Sequence, residues 1–346
     1  THGLFSGGEY AQMRAFFSAH PDLRATPLTP TPGLQRTLGL ASLHVKDESG
    51  RFGLNAFKLL GARFAIETLI TEGAVRRGAV LVCASEGNHG RAVARAARDA
   101  GCRARVYMAH DAAQARVDAI ASEGAEVVRV DGSYDDAVRV VQADAVAHGW
   151  TIISDTAWTG YEHIPRLIML GYARLLDEIT AVTEPDVVFV QGGVGGLLCG
   201  VASWCAMHRP EIKVVCVEPA SAACLQASAR SGHPVVVEGP LTTAMAGLRN
   251  REVSPLAFES VRTTVDAFVA IEDEWTERAM QALHDVGIGA GASGGAALGG
   301  LLALCEDPSM VPVRDTLGLG SSSRVVAIVS EGVTDPAHWR SVVTPE

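Results

Sequence analysis

The feature that most constrains the fold is a repeated change of rhythm. From about residue 78 onward, short β-rich runs alternate with helical stretches. "AVLVCAS" (79–85) is followed by the Ala/Arg-rich "RAVARAARDAG", "RARVYMA" by "DAAQARVDAIASEG", and "AEVVRV" by "SYDDAVRVVQADAVAHG". "WTIIS" precedes the long stretch from Pro165 to about Ile179, "DVVFV" precedes "GLLCGVASWCAMH", "KVVCVEP" precedes "SAACLQASARSG", and "VVAIVSE" comes near the end. A strand that reads as an unbroken apolar run is buried on both faces, and a helix after each such strand supplies the cover. The pattern therefore predicts an α/β fold with parallel sheets flanked by helices. At 346 residues the chain is long enough for two domains of ordinary size.

Composition narrows the function. Hydrophobic residues make up 48% and charged ones 20%, which is a globular balance. A net charge of −10 argues against nucleic acid or an anionic membrane as the main partner, because both select basic surfaces. The seven cysteines, at 83, 102, 199, 205, 216, 224 and 305, contain no C-x-x-C pair and lie mostly in apolar runs. Free, mostly buried thiols in a reducing compartment are expected, with no metal site among them. No apolar run reaches bilayer length, and "THGLFSGGEY" lacks the build of a signal peptide. A cytoplasmic protein acting on a small molecule is the expectation.

Glycines are concentrated where chemistry is expected. "VVFVQGGVGGLLCG" (187–200) reads as strand, glycine-rich turn and helix, so that backbone N–H groups at Gly192, Gly193, Val194, Gly195 and Gly196 can cradle a phosphate ester at a helix N-terminus. No Lys-Ser or Lys-Thr follows, as a nucleoside triphosphatase loop requires, and the spacing does not fit a dinucleotide fingerprint, for which Glu218 is weak support. A monophosphate fits better. "CASEGNHGRAVARAA" (83–97) is a second strand–turn–helix junction, and "GIGAGASGGAALGG" (287–300) is a third glycine-rich stretch that either lines a pocket or lets a helix approach a sheet closely. Lys58, in "FGLNAFKLLG", lies among apolar side chains in the first turn of a predicted helix capped by Asn55. A desolvated lysine loses proton affinity and becomes a neutral amine nucleophile.

In this order, "KDESGRFGLNAFKLLGA", "SEGNHGRAVA", "SDTAWTGYEHIPRLIMLGY", "QGGVGGL" and "SEGVTDP" resemble the fold type II pyridoxal-phosphate enzymes of the tryptophan-synthase-β and threonine-dehydratase group. Within that group they are similar to diaminopropionate ammonia-lyases, from about Thr26 to Trp339. The resemblance implies pyridoxal 5'-phosphate bound covalently at Lys58. Gly192 to Gly196 hold its phosphate, Asn88 bonds its ring hydroxyl oxygen, and Ser330 meets its pyridine nitrogen. It further implies that Ser85, Gly87 and His89 surround the substrate carboxylate and that Asp155 and Glu86 are catalytic carboxylates. The chain would be a homodimer. Trp158 and Tyr161 pack near the pocket with no chemical role assigned.

The implied reaction is β-elimination from 2,3-diaminopropionate or a close β-substituted amino acid, giving a 2-keto acid and ammonia. A protonated leaving amine needs a nearby acid, for which Asp155 and Glu86 are the candidates, with Lys58 as base or shuttle. Two residues depart from the family pattern: Glu86 stands where an aspartate is expected, and Ala292 replaces the glutamate of a "GESG" motif. A serine/threonine dehydratase or β-replacement enzyme on the same scaffold is the nearest alternative. A nucleotide-dependent oxidoreductase and a catalytically idle cofactor-binding protein are the others. The expected architecture has two domains with twisted, mostly parallel sheets flanked by helices. A large cofactor-binding domain comprises residues 1–74 and 164–346, a small inserted domain 75–163, and the cofactor occupies the cleft between them.

Overall fold

The structure is a computed structural model that describes residues 3–85 and 87–344. Ten strands follow along the chain: β1 (Leu28–Pro30), β2 (Ser42–Asp47), β3 (Val80–Ala84), β4 (Arg103–Ala109), β5 (Glu126–Val130), β6 (Thr151–Ile152), β7 (Val187–Gln191), β8 (Lys213–Pro219), β9 (Ala267–Ile271) and β10 (Arg324–Val329). They form two sheets, in two compact units. One unit comprises residues 1–57 and 172–346, and the other residues 58–171. The chain is α/β with mostly parallel sheets flanked by helices, as its alternating pattern predicts.

The first unit holds a six-stranded sheet in the order β1-β2-β10-β7-β8-β9. Only the β1–β2 pair is antiparallel. β7 and β8 are buried along nearly their whole length, which is why they read as unbroken apolar runs. Helices Gly196–His208 and Ala292–Glu306 pack on this sheet. The latter is buried on all sides and owes that to its glycines. A Cβ on Gly300 would stand 2.4 Å from a Val217 methyl carbon, and one on Gly294 would stand 2.0 Å from the Glu331 carbonyl oxygen. Of the two readings of the third glycine-rich stretch, this is the close-approach one.

A buried set of charges lies in the same unit. Glu178 accepts from Lys46 Nζ and from an Arg51 nitrogen, each at 2.6 Å, and Arg51 also pairs with Glu48. All four side chains are essentially closed to solvent. Removing one member would strand a buried charge, so the set holds the segment leading to Lys58 as a block. That segment differs from the expected helix. The helix runs Leu59–Thr71, with Lys58 itself in the N-cap position, and Asn55 is not a cap: it adopts a left-handed conformation (φ 59°), as does Phe52 (φ 54°). Asparagine tolerates that region because its short amide bonds locally. Gly332 N–H then donates to the Asn55 carbonyl at 2.8 Å.

The second unit holds a four-stranded, all-parallel sheet in the order β5-β4-β3-β6. Neighbouring residues of β4 point to opposite faces. Tyr107 packs against helix Tyr134–His148, whereas Val106 lies beneath Gly90 of helix Asn88–Asp99. Both faces are thereby covered. Helix Leu59–Thr71 is buried around most of its circumference, and helix His163–Tyr172 approaches it closely at Gly171, where a Cβ would meet the Leu60 carbonyl oxygen at 2.7 Å. Among the described residues, no single helix is long and apolar enough to cross a membrane.

Candidate active site

In the second unit the site is built at the C-terminal ends of two neighbouring strands, β3 and β6, where ligands of parallel sheets gather. Ile153 N–H donates to the Val82 carbonyl at 2.8 Å, which extends the pairing by one residue and brings Asp155 out just beyond the sheet edge. There Asp155 Oδ2 accepts from Lys58 Nζ at 2.7 Å. His89 Nδ1 faces the same oxygen at 3.6 Å, while its Nε2 lies 2.8 Å from the Ile153 carbonyl. A carbonyl only accepts, so Nε2 carries a hydrogen and the ring orientation is fixed. Burial alone would raise the Asp155 pKa. The charges of His89 and Lys58 and the lysine hydrogen bond outweigh it, holding the carboxyl well below the usual carboxylate range.

The turn after β3 is closed by Ser85, whose Oγ accepts from the N–H of Gly90 at 2.9 Å and of Gly87 at 3.3 Å. Ser85 thus caps helix Asn88–Asp99 from two residues before its N-cap, Gly87. Asn88 opens that helix and is half-buried. Glu86 lies outside the described residues. Of the positions singled out in the sequence, the second unit brings together Lys58, Asp155 and His89 directly, with Ser85, Gly87 and Asn88 on the adjoining turn.

In the first unit, β7 and β10 are parallel neighbours, so the glycine turn and Ser330 emerge at one sheet edge. Gly192 N–H bonds the Val217 carbonyl and Gly195 N–H the Gly192 carbonyl. The N–H groups of Gly193, Val194 and Gly196 have no acceptor among the described residues. Gly193 (φ 62°) and Gly195 (φ 99°) need glycine for their backbone conformation. Gly192 needs it for space, since a Cβ there would stand 2.6 Å from Glu218 Cγ. Ser330 is buried, and no hydrogen bond of its hydroxyl is made within the described residues.

Two residues of this unit were not singled out for the site by their sequence context. Gln191 Nε2 donates to the carbonyls of Ile328 (2.8 Å) and Gly294 (2.9 Å), tying the end of β7 to β10 and to helix Ala292–Glu306, which carries most of the third glycine stretch. Glu218, weak support for a dinucleotide, has both oxygens engaged instead. They accept from Leu225 N–H and Gln226 N–H, each at 2.8 Å, and the residue is fully buried. Its position directly behind Gly192 is the signal: a carboxylate at a strand end, level with a glycine turn on the next strand.

The first unit offers unsatisfied turn N–H groups at a helix start, which suit a phosphate ester, and a buried serine hydroxyl, which suits a ring nitrogen; the second unit by itself offers an amine held by a carboxylate, which suits an aldehyde. The model of the family described as pyridoxal-phosphate dependent enzymes matches residues 20–330. The chain belongs to this family. Among its members, diaminopropionate ammonia-lyase of Escherichia coli (strain K12) is 37% identical over 99% of this chain and 93% of that protein. The Salmonella typhimurium diaminopropionate ammonia-lyase is 33% identical over 98% of this chain and 93% of its own length. The crystal structure of the Escherichia coli enzyme with an aminoacrylate-PLP azomethine reaction intermediate superposes with a TM-score of 0.89 at 36% identity, covering 99% of this chain and 94% of that one. The cofactor of this pyridoxal-phosphate enzyme is pyridoxal 5'-phosphate.

Proposed function

We propose that this pyridoxal-phosphate-dependent carbon–nitrogen lyase acts on 2,3-diaminopropionate, which with one water yields pyruvate and two ammonia. The observation that carries the reading is the 2.7 Å contact between Lys58 Nζ and Asp155 Oδ2 in a chain of this family. Lys58 Nζ is the amine that binds the cofactor aldehyde, the N–H groups of Gly193, Val194 and Gly196 receive the phosphate, Ser330 is for the ring nitrogen and Asn88 for the ring hydroxyl. Bound there, the cofactor supplies an electron sink for the charge left at Cα.

The chain itself must carry the protons. Lys58 Nζ takes the proton from Cα, and the neighbouring Asp155 Oδ2 receives it across 2.7 Å. Asp155 then hands it to the β-nitrogen, which leaves as ammonia instead of an amide anion. Because His89 and Lys58 hold Asp155 well below the usual carboxylate range, a proton it receives is weakly held and readily passed on to the β-nitrogen. Glu86 is the second carboxylate in this scheme, and Ser85, Gly87 and His89 flank the substrate carboxylate. The large domain would comprise residues 1–74 and 164–346 and the inserted one 75–163. The assembly would be a homodimer in the cytoplasm. Free cysteines throughout support the reducing compartment, and sedimentation of the purified enzyme tests the dimer.

The test is product release from D- and L-2,3-diaminopropionate, with D- and L-serine and L-threonine alongside. Two ammonia per keto acid from diaminopropionate is the expected result. Turnover of serine or threonine alone would move the protein to the dehydratases. Lys58→Ala should abolish the visible absorbance of covalently held cofactor, and unchanged absorbance would remove Lys58 from its role.

A further inference from the structure

Tyr161 has no role in the scheme above, yet its phenol is built into the turn that carries Asp155. Ser154 N–H donates to the Tyr161 hydroxyl at 2.9 Å, and that hydroxyl donates to the Ile152 carbonyl at 2.8 Å. The ring is itself fixed. It stacks on Trp158 with centroids 4.0 Å apart and planes within 9°, and Tyr161 N–H closes the turn onto the Trp158 carbonyl at 2.8 Å. Burial raises the phenol pKa above its ordinary value, so the hydroxyl stays neutral and can donate and accept at once. The Ile153 carbonyl between the two tyrosine contacts is occupied by His89 Nε2 at 2.8 Å. Each of the three residues before Asp155 therefore has one backbone group held by a side chain.

We propose that Tyr161 is a positioning residue for the elimination: through Ile152 and Ser154 it fixes the backbone that holds Asp155 Oδ2 at 2.7 Å from Lys58 Nζ. The proposal rests on the reading of Asp155 as the proton carrier. A proton passes efficiently only between heavy atoms about 2.6–3.2 Å apart, so the pair has little slack. Tyr161→Phe removes one oxygen, keeps the ring that stacks on Trp158, and deletes neither Lys58 nor His89, the partners of Asp155. It leaves Ser154 N–H and the Ile152 carbonyl without their partner, and the backbone before Asp155 is then free to shift.

The experiment compares wild type, Y161F, D155N and the Y161F/D155N double variant as holoenzymes, each with its bound-cofactor absorbance recorded. Displacements of about an ångström cost on the order of 100-fold in rate, so Y161F should lower kcat about 10- to 100-fold with KM within about threefold. Loosening the Lys58 contact also releases Asp155 toward its ordinary proton affinity, so the acid limb of kcat/KM moves to higher pH in Y161F. In the D155N background the same substitution should cost less than about threefold, the signature of residues acting as one unit. Wild-type kcat in Y161F, or an undiminished penalty in the D155N background, would overturn the proposal. Wild-type activity in D155N would instead sink the reading of Asp155, which separates the two failures. Should Y161F not fold, hydrogen exchange of the wild-type Ser154 N–H decides: protection like that of the β3 amides is expected, and exchange at the free-peptide rate refutes the bond.

Discussion

Glu218 offers a quantitative test of what lies behind the glycine turn. Burial raises its pKa from 4.5 to about 7, against the opposing pull of the Leu225 and Gln226 N–H bonds. A raised carboxyl pKa destabilises the fold as pH rises. Below pH 4.5 both states hold the proton and nothing is lost. Between 4.5 and 7 the unfolded chain releases it while the folded chain keeps it, and above 7 the loss is constant. The difference of 2.5 pH units (7 − 4.5) corresponds to about 3 kcal/mol, of which roughly 2 kcal/mol falls between pH 5.5 and 8. Glu218→Gln has nearly the same shape and does not titrate. Urea unfolding of both proteins at pH 5.5, 6.5, 7.5 and 8, followed by tryptophan fluorescence, should show the variant gaining about 2 kcal/mol on the wild type across that range. Other titrating groups cancel in the difference. Parallel stability curves would mean that Glu218 ionises normally in the fold, and that the pocket behind Gly192 is wet.

Other expectations follow from contacts already described. Gly192→Ala drives a methyl into Glu218 Cγ and should displace the turn, lowering cofactor affinity at least tenfold in equilibrium dialysis; unchanged retention would show that the turn is not the phosphate cradle. Asp155→Asn should lower kcat for diaminopropionate by about 10²- to 10⁴-fold in a keto-acid assay, the usual worth of a positioned acid–base group. Arg51→Met takes from Glu48 its ion-pair partner in a closed space, and should cost about 3–5 kcal/mol in denaturant unfolding. Exchanging Lys46, Glu48, Arg51 and Glu178 together for apolar residues should recover most of that loss.

The legible part of the fold is the part whose physics is local. A strand buried on both faces must be apolar at every position, so β7, β8 and β10 announce themselves, and a glycine turn between such a strand and a helix is visible at once. β6, with two residues, carries almost no pattern of its own and was signalled by the helix after it. Asn55 misled because an asparagine before a helix usually caps it, whereas here the preceding backbone turns left-handed and the helix begins later. "KDESGR" reads as a solvated turn. Its Lys46, Glu48 and Arg51 are in fact buried, because the fourth member, Glu178, is more than a hundred residues away. The roles of Lys58 and Asp155 came from resemblance, since spacing cannot bring positions 58 and 155 together. Tyr161 stayed silent for the same reason: its hydroxyl acts on backbone seven and nine residues earlier, through a fold-back that leaves no periodic trace.

The sealed quartet of Lys46, Glu48, Arg51 and Glu178 also limits how this chain can change. Its two cations match its two carboxylates, so losing the charge of any one member leaves an unbalanced ion in the interior. Such a group behaves in heredity as one indivisible character, retained whole or exchanged whole. An engineer altering substrate choice therefore has a fixed landmark in the segment that leads to Lys58, and a library that randomises it one codon at a time will be rich in destabilised chains.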